Sequence, residues 1–357
     1  MTQQEIVDRL GISRGTLQRV LTGSALVKQS TRERVLKELE RVKYVPNAIA
    51  AGLKTRRTKS IGLVGPAAIK MSNIGKVNAI HQAAREKGYS VIFGFSDGSS
   101  EEDARCIRDL RARMVDGFIA LGRGLPYSNP HYQAILDAGI PLVTLYPLPE
   151  LKTDCVYVDT RSAYRKLTKH LISLGHKDIA LLIDHSTSQF TANRELGFRD
   201  AMRAAKIPVR DEWVVRADPV GGRGPDDEHA EKLTWNTTDY EYGFEGASTV
   251  LAKKKRPSAF VCLSDNCAVG ALRAASLAGI RVPQDLAIVG FDDNEGAPYA
   301  SVPLTTIHQP DEMTGRAAVE LLLDRLSGRI QDKSPVVRKI ATTLVIRESC
   351  GCQLRKR

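Results

Sequence analysis

The sequence predicts an all-α helix-turn-helix headpiece followed by an α/β core of two doubly wound parallel-sheet lobes. Three observations carry this. Short amphipathic segments joined across a glycine fill the first 46 residues. Strand-like apolar runs alternate with helical stretches from Ser60 onward. That alternation comes in two sets, and single cores stop growing at roughly 250–300 residues, whereas this chain has 357.

The headpiece is residues 1–46. Ile6, Val7 and Leu10 punctuate the first polar segment, and Gly11 breaks it. Ser13 is placed to cap a second helix through Leu21, with Leu17, Val20 and Leu21 at helical spacing. Thr22-Gly23-Ser24 ends that helix. Ser30-Thr31-Arg32-Glu33 has capping-box spacing ahead of a third helix with the apolar stripe Val35, Leu36, Leu39 and Val42. Two short helices across a Gly turn, with a supporting helix, match the motif whose second helix enters the DNA major groove. An ordinary three-helix cap is the alternative.

Residues 47–59 read as a hinge and linker. Pro46 keeps the residue before it out of helix, and Asn47 is placed to cap a two-turn helix from Ala48 to Leu53. So short a helix is not stable alone in water. Lys54, Arg56, Arg57 and Lys59 follow it.

The core is residues 60–357. IGLVG, VIFGF, GFIALG and IPLVTL read as buried strands of a first lobe, with helices near 75–88, 101–113 and 130–138. IALLI, SAFVCL and LAIVGF form a second set, with helices near 161–174, 190–205, 242–253 and 266–278. Repeated βαβ grammar implies parallel sheets with helices on both faces. The expected division gives about 60–160 and 292–325 to the first lobe, and about 161–291 and 326–357 to the second. Residues 217–239, rich in Gly, Pro and Asp, read as a surface loop. Gly221-Gly222-Arg223-Gly224 precedes no helix pattern and is not a phosphate loop.

Charge points to a partner. The formal net charge is +11, and residues 1–60 carry 13 Lys/Arg against five Asp/Glu. A basic N-terminal block on a near-neutral body suits a polyanion met by one end of the chain. A solubilising surface is the bland alternative. The six cysteines form no Cys-x-x-Cys pair and have no accompanying His cluster, so neither a zinc site nor a disulfide framework is expected; they read as small core residues or idle thiols. No nucleophile–base pair has a recognisable spacing, and His170 and His176 read as helix-end residues. Neither an enzyme nor a cofactor is expected. No apolar run approaches a membrane span, and MTQQEIVDRL has no signal-peptide core, so the expected place is the cytoplasm.

Several stretches carry a family resemblance. They are GISRGTLQRVLTGSALVKQSTRERVLKELERVKYVPNAIAAGLKTRRTKSIGLV, LSDNCAVGALRAASLAGIRVPQDLAIVGFDD, PLTTIHQP and LVIRESCG. In this order they span nearly the whole chain, and they resemble the LacI/GalR family of bacterial repressors. The resemblance implies a periplasmic-binding-protein-like core that senses a small molecule, and a homodimer or higher oligomer whose headpieces read a roughly palindromic duplex operator. A solute-binding module without DNA function is the competing class. Repression relieved or promoted by the effector is the implied mechanism.

The implied DNA contacts can be argued physically. N-terminal residues of the second helix approach base edges. Here these are Arg14, Gly15 and Thr16, with Arg19 one turn on. Arginine matches the O6/N7 edge of guanine with two bonds, worth ~1–3 kcal/mol of discrimination. Thr2, Ser13 and Thr16 look like phosphate anchors. Gly15 departs from the side chain common there. In the family the hinge becomes helical on DNA and wedges an apolar side chain into the minor groove; Leu53 holds that place, with Ala50 on the same face and Asn47 at the cap. Leu53 as an ordinary packing anchor is the alternative.

For the effector, Arg194 matches the family's ligand-binding arginine and Asp292 its cleft carboxylate. Ser264 and Asp265 lie at a strand's carboxyl end, where ligands bind in parallel sheets. The segment GPAAIKMSNIG lacks the aromatics that relatives place after the first strand, and Thr238 stands where they often have one, with Trp235 nearby. Both departures fall in pocket-shaping regions, so no ligand identity transfers. A sugar or polyol is the expected class, with a purine or a phosphorylated sugar as alternatives.

Overall fold

The computed structural model describes residues 2–21, 24–44, 57–66, 71–96, 100–121, 129–148, 150–184, 189–217 and 239–355. The chain divides into two compact units, Met1–Thr58 and Lys59–Arg357.

The first unit holds α1 (Gln3–Leu10), α2 (Arg14–Leu21) and α3 (Gln29–Arg41). A capping box starts α1: the Thr2 hydroxyl accepts from the Glu5 N–H, and the Glu5 carboxylate accepts from the Thr2 N–H. Gly11 ends α1 at φ 59°, where its N–H bonds the carbonyls of Val7 and Asp8; the left-handed conformation is cheap only for glycine. Ile6, Val7, Leu17, Val20, Val35 and Leu39 form the buried core. The expected capping box at Ser30 does not start α3. That helix begins at Gln29 with Lys28 at the cap and no side-chain cap bond, while Gln29 reaches Glu33 one turn on. Leu36, expected in the buried stripe, is 50% exposed.

In the second unit, β1 (Ser60–Pro66), β2 (Ser90–Ser96), β3 (Gly117–Ala120), β4 (Leu142–Thr144), β5 (Asp154–Val158) and the late strand β11 (Val337–Ile340) form one parallel sheet. Its order is β11-β5-β4-β3-β1-β2. One face packs on α4 (Met71–Glu86) and α11 (Asp311–Leu326), the other on α5 (Ser100–Ala112) and α6 (Asn129–Asp137). A second parallel sheet, in the order β7-β6-β8-β9, joins β6 (Ile179–Asp184), β7 (Val214–Ala217), β8 (Ala259–Cys262) and β9 (Ala287–Val289). The helices α7 (Thr160–Ser173) and α8 (Gln189–Ala204) cover one face, and α9 (Asp239–Leu251) and α10 (Asp265–Leu277) the other. β10 (Thr306–His308) pairs antiparallel with β12 (Thr343–Val345). Two βαβ lobes follow from near-continuous Val/Ile/Leu strands that must bury both faces.

The lobe division differs from the expected one. The chain passes between lobes near 159, 309–310 and 341–342. Residues 292–308 belong with the second lobe, because Ala297, Leu304 and Ile307 fill its cores. Residues 311–340 belong with the first, because α11 covers its sheet and β11 extends it. The expected boundary falls directly after LAIVGF. The chain instead stays on the sheet through backbone bonds from Gly290 to Thr305 and from Asp292 to Ile307.

The second lobe depends on one close helix crossing. A Cβ at Gly243 of α9 would meet the Cys267 carbonyl at 1.9 Å, and one at Gly270 of α10 would meet the Tyr240 carbonyl at 2.0 Å. Each glycine therefore lets the other helix's backbone into the space that a side chain would occupy. This crossing sets α10, whose first turn lies beside the cleft residues.

Candidate DNA-reading helix and effector cleft

The candidate reading helix is α2. Ser13 starts it: its Oγ accepts from the Thr16 N–H at 3.1 Å and lies 2.9 Å from Thr16 Oγ1. Leu17 and Val20 anchor the buried face. Arg14, Gly15 and Arg19 are exposed on the opposite face, as a helix period of 3.6 requires. A Cβ at Gly15 would meet only Ser13 Oγ, at 3.7 Å, so packing does not require glycine there. Thr2 is occupied as the cap of α1. Asn47, Ala50 and Leu53 lie outside the described residues, as do Trp235 and Thr238.

The cleft residues meet at the carboxyl ends of the second-lobe strands. Arg194, from α8, is 6% exposed, and its guanidinium carbon lies 5.9 Å from the ring centres of both Tyr164 and Phe291. Those rings stack with centres 5.2 Å apart. The Tyr164 hydroxyl is held by donating to the carbonyl of Leu263 at 2.7 Å. Tyr164 and Phe291 thus form a fixed floor, and an arginine over two ring faces is favoured by their quadrupoles.

Asp292 follows Phe291 directly. It holds φ 115°, a strained conformation for a residue with a side chain. Its N–H bonds the Ile307 carbonyl at 2.9 Å, and its carboxylate accepts from Gln309 Nε2. Burial pushes its pKa up to about 8, helped by the charges of Asp265 and Asp239, against the pull of Lys76 and Arg194. Three carboxylates and two cations therefore share one neighbourhood. Near neutrality this carboxyl therefore carries a proton, so it can donate as well as accept.

Ser264 and Asp265 sit beside this centre but are committed to protein partners. Ser264 caps α10 by accepting from the Cys267 N–H at 3.2 Å, and it donates to Asp239 Oδ2 at 2.8 Å. Asp265 is 2% exposed; its oxygens accept from Thr306 Oγ1 at 2.6 Å and from the Asn294 N–H at 2.7 Å. The two residues hold the cleft's carboxylates and its crossover in place. Sequence reasoning did not mark Tyr164, Lys76, Asp239 or Gln309. Tyr164 reads as core at helical spacing, and the others are drawn in by chain crossings that no local pattern reveals. Across the cleft, Tyr146 and Asn73 of the first lobe stand within 3.5 Å of each other. Among the described residues no group of His, Cys, Asp and Glu could hold a metal ion.

The chain is 30% identical over 351 residues to the ribose operon repressor of Haemophilus influenzae, covering 98% of each chain. It belongs to the LacI family. A LacI-family chain of this kind is a DNA-binding transcriptional regulator whose operator affinity a small-molecule effector controls. Its working place is the cytoplasm, with the DNA, and no helix among the described residues is long and apolar enough to cross a membrane. Residues 60–220 match the model described as periplasmic binding proteins and sugar binding domain of LacI family, and residues 168–350 match a periplasmic binding protein-like domain. The repressor PurR of Vibrio parahaemolyticus is 28% identical, with 98% of each chain covered. Among solved structures, a CelR–cellobiose complex is similar at 29% identity and TM-score 0.70, covering 98% of this chain and 99% of that one. The lac repressor dimer bound to operator and the anti-inducer ONPF is similar at 25% identity and TM-score 0.80, with the same coverage.

Proposed function

We propose that this LacI-family regulator is a sugar- or polyol-responsive repressor, with Arg194 and Asp292 contacting the effector between the two lobes. The observation that carries this reading is the convergence of the two side chains. Arg194, over a fixed aromatic floor, presents donors only, and Asp292 can accept or donate according to its proton. Vicinal hydroxyls meet both demands. The names of the ribose operon repressor and the CelR–cellobiose complex support a sugar.

The DNA side follows from α2. The protein acts as a homodimer on a roughly palindromic operator. Arg14 and Arg19 reach base edges, Thr2, Ser13 and Thr16 hold phosphates, and Gly15 leaves its base position loosely read. Asn47, Ala50 and Leu53 form a hinge helix on DNA, with Leu53 as the wedge. We place the headpiece at 1–46, the hinge at 47–59 and the core at 60–357. Effector binding changes lobe closure and so hinge folding; a coupling of ~1–3 kcal/mol changes operator affinity by roughly 5–150-fold. The protein binds its effector and does not turn it over.

The test uses an operator selected from a randomised duplex pool. The operator complex is titrated with a panel of sugars and polyols, using wild type, Arg194→Ala and Asp292→Ala. Both variants are expected to keep operator binding and lose the response. If both respond at the wild-type ligand concentration, the pocket lies elsewhere. Product formation from a responding sugar would overturn the non-enzymatic reading.

A further inference from the structure

Cys350-Gly351-Cys352 closes the second lobe just after β12. Cys350 is 1% exposed, and Cys352 is half-buried. The Cys350 sulfur lies 3.3 Å from His170 Nε2, on the last turn of α7. Both sulfurs turn to one acceptor, the Arg347 carbonyl, at 3.7 Å from Cys350 and 3.9 Å from Cys352. Both sulfurs therefore flank one carbonyl oxygen. Gly351, at φ 72°, makes the turn that folds the second cysteine back.

The surroundings of Cys350 favour a thiolate. Burial works against the anion, but His170, the Thr305 hydroxyl and the Cys352 backbone N–H outweigh it, lowering the pKa to about 7. His170 and Cys352 are the titratable groups that face it. The Arg347 guanidinium is turned away to Asp293 and to the Leu304 carbonyl. The thiols of Cys106, Cys155 and Cys262 are instead pushed up by burial. Cys350 thus stands apart from these core cysteines.

We propose that Cys350 and Cys352 are a redox pair that a hydroperoxide closes to a disulfide, with His170 carrying the proton. The more accessible Cys352 thiol gives up its proton as its sulfur attacks the peroxide; the O–O bond breaks, and the Cys352 sulfur becomes a sulfenic acid while alkoxide or hydroxide leaves and takes up that proton. The Cys350 thiolate then attacks the Cys352 sulfur. The S–S bond forms, the S–O bond breaks, and hydroxide leaves as water with the proton from His170. In sum, two thiols are oxidised, one peroxide is reduced, and one alcohol or water and one further water are released.

The test treats the reduced full-length protein with hydrogen peroxide, alkylates the remaining thiols and maps peptides by mass spectrometry. The expected result is loss of two hydrogens in the peptide holding Cys350 and Cys352, reversed by dithiothreitol. In Cys350→Ser, a sulfenic acid at Cys352 is expected to be trapped by dimedone. If that variant does not fold, the wild-type peptide map decides alone. In His170→Asn, with folding checked by circular dichroism, the pH midpoint of ring closure should move from about 7 towards the ordinary thiol value of ~8.5. The rate at pH 7 should fall about threefold, because a less abundant thiolate is partly offset by its greater nucleophilicity. Both thiols still alkylated after peroxide, or oxidised separately without an S–S bond, would overturn the pair. An unmoved midpoint in His170→Asn would remove the histidine from the scheme.

Discussion

Asp265→Asn tests how the second lobe stores charge behind the cleft. The carboxyl is 2% exposed and receives Thr306 Oγ1 and the Asn294 N–H. Gly290 leaves it room: a Cβ there would lie 2.2 Å from Asp265 Oδ1. Burial drives its pKa up, the two hydrogen bonds pull it down, and the Asp293 charge opposes that of Arg347, leaving it at about 7. The ordinary value is ~3.9. A carboxyl with a raised folded-state pKa stabilises most fully below its unfolded value, and that contribution is lost as pH rises through the folded value. Between pH ~4 and ~7 the loss is about 1.4 kcal/mol per unit, ~4 kcal/mol at most and about 2–4 kcal/mol after relaxation. Asparagine nearly matches the shape and does not titrate. The assay is urea unfolding from pH 4 to 8, followed by fluorescence of Trp213, which is buried in the same lobe. The variant should gain stability relative to wild type by that amount between pH 4 and 7, and the difference should then level off. Parallel stability curves for the two proteins would mean that Asp265 ionises at its ordinary value and that burial does not govern it.

Three further outcomes follow. Gly270→Ala should destabilise the second lobe by about 1–3 kcal/mol, as overpacking does, because the new methyl meets the Tyr240 carbonyl; an unchanged urea midpoint would refute the close crossing. Arg19→Ala should relax base preference at one position in each half-site, whereas Arg57→Ala should weaken all duplexes alike and reduce the salt slope by about one; equal loss on every operator variant for Arg19→Ala would sink its base-reading role. Leu53→Ala should leave the core folded and effector-responsive but remove most DNA bending, and unchanged bending in a circular-permutation gel assay would make it a packing residue only.

The fold class was legible because its signals are local. Leu17, Val20, Val35 and Leu39 recur at helical spacing and are buried as that spacing implies. The long apolar runs could only be strands covered on both faces. What failed depends on distant partners. DCVYV, which forms β5, is not among the expected strands, and it opens on an acid. Asp154 is tolerated there because Arg325, 171 residues away, grips both oxygens at 2.7 and 2.8 Å, and the Val336 N–H adds a third bond. The end of the first lobe was misplaced for a similar reason, since β11 finds its partner β5 only after the chain has built all four strands of the second sheet.

The candidate site divides along the same line. Strand-end position singled out Ser264 and Asp265, and the family resemblance singled out Asp292; all three lie at the carboxyl edge of the second sheet. Position alone could not separate them, because the separation comes from partners supplied across 17 to 41 residues of sequence. Asp265 is filled by Thr306 and Asn294, and Ser264 by Asp239, so neither can change partner without loosening α10 or the crossover. Asp292 receives one side-chain bond, from Gln309, and sits on a strained backbone among like charges. Of the three, it has the most to gain from an incoming cation or hydroxyl. On the proposed reading, a ligand that contacts Asp292 would bind where the segment 292–308 hands the chain to the first lobe. Ligand bonding at Asp292 and movement of the lobes would therefore be mechanically adjacent, and this is the physical ground for proposing that an effector at this point reaches the headpieces.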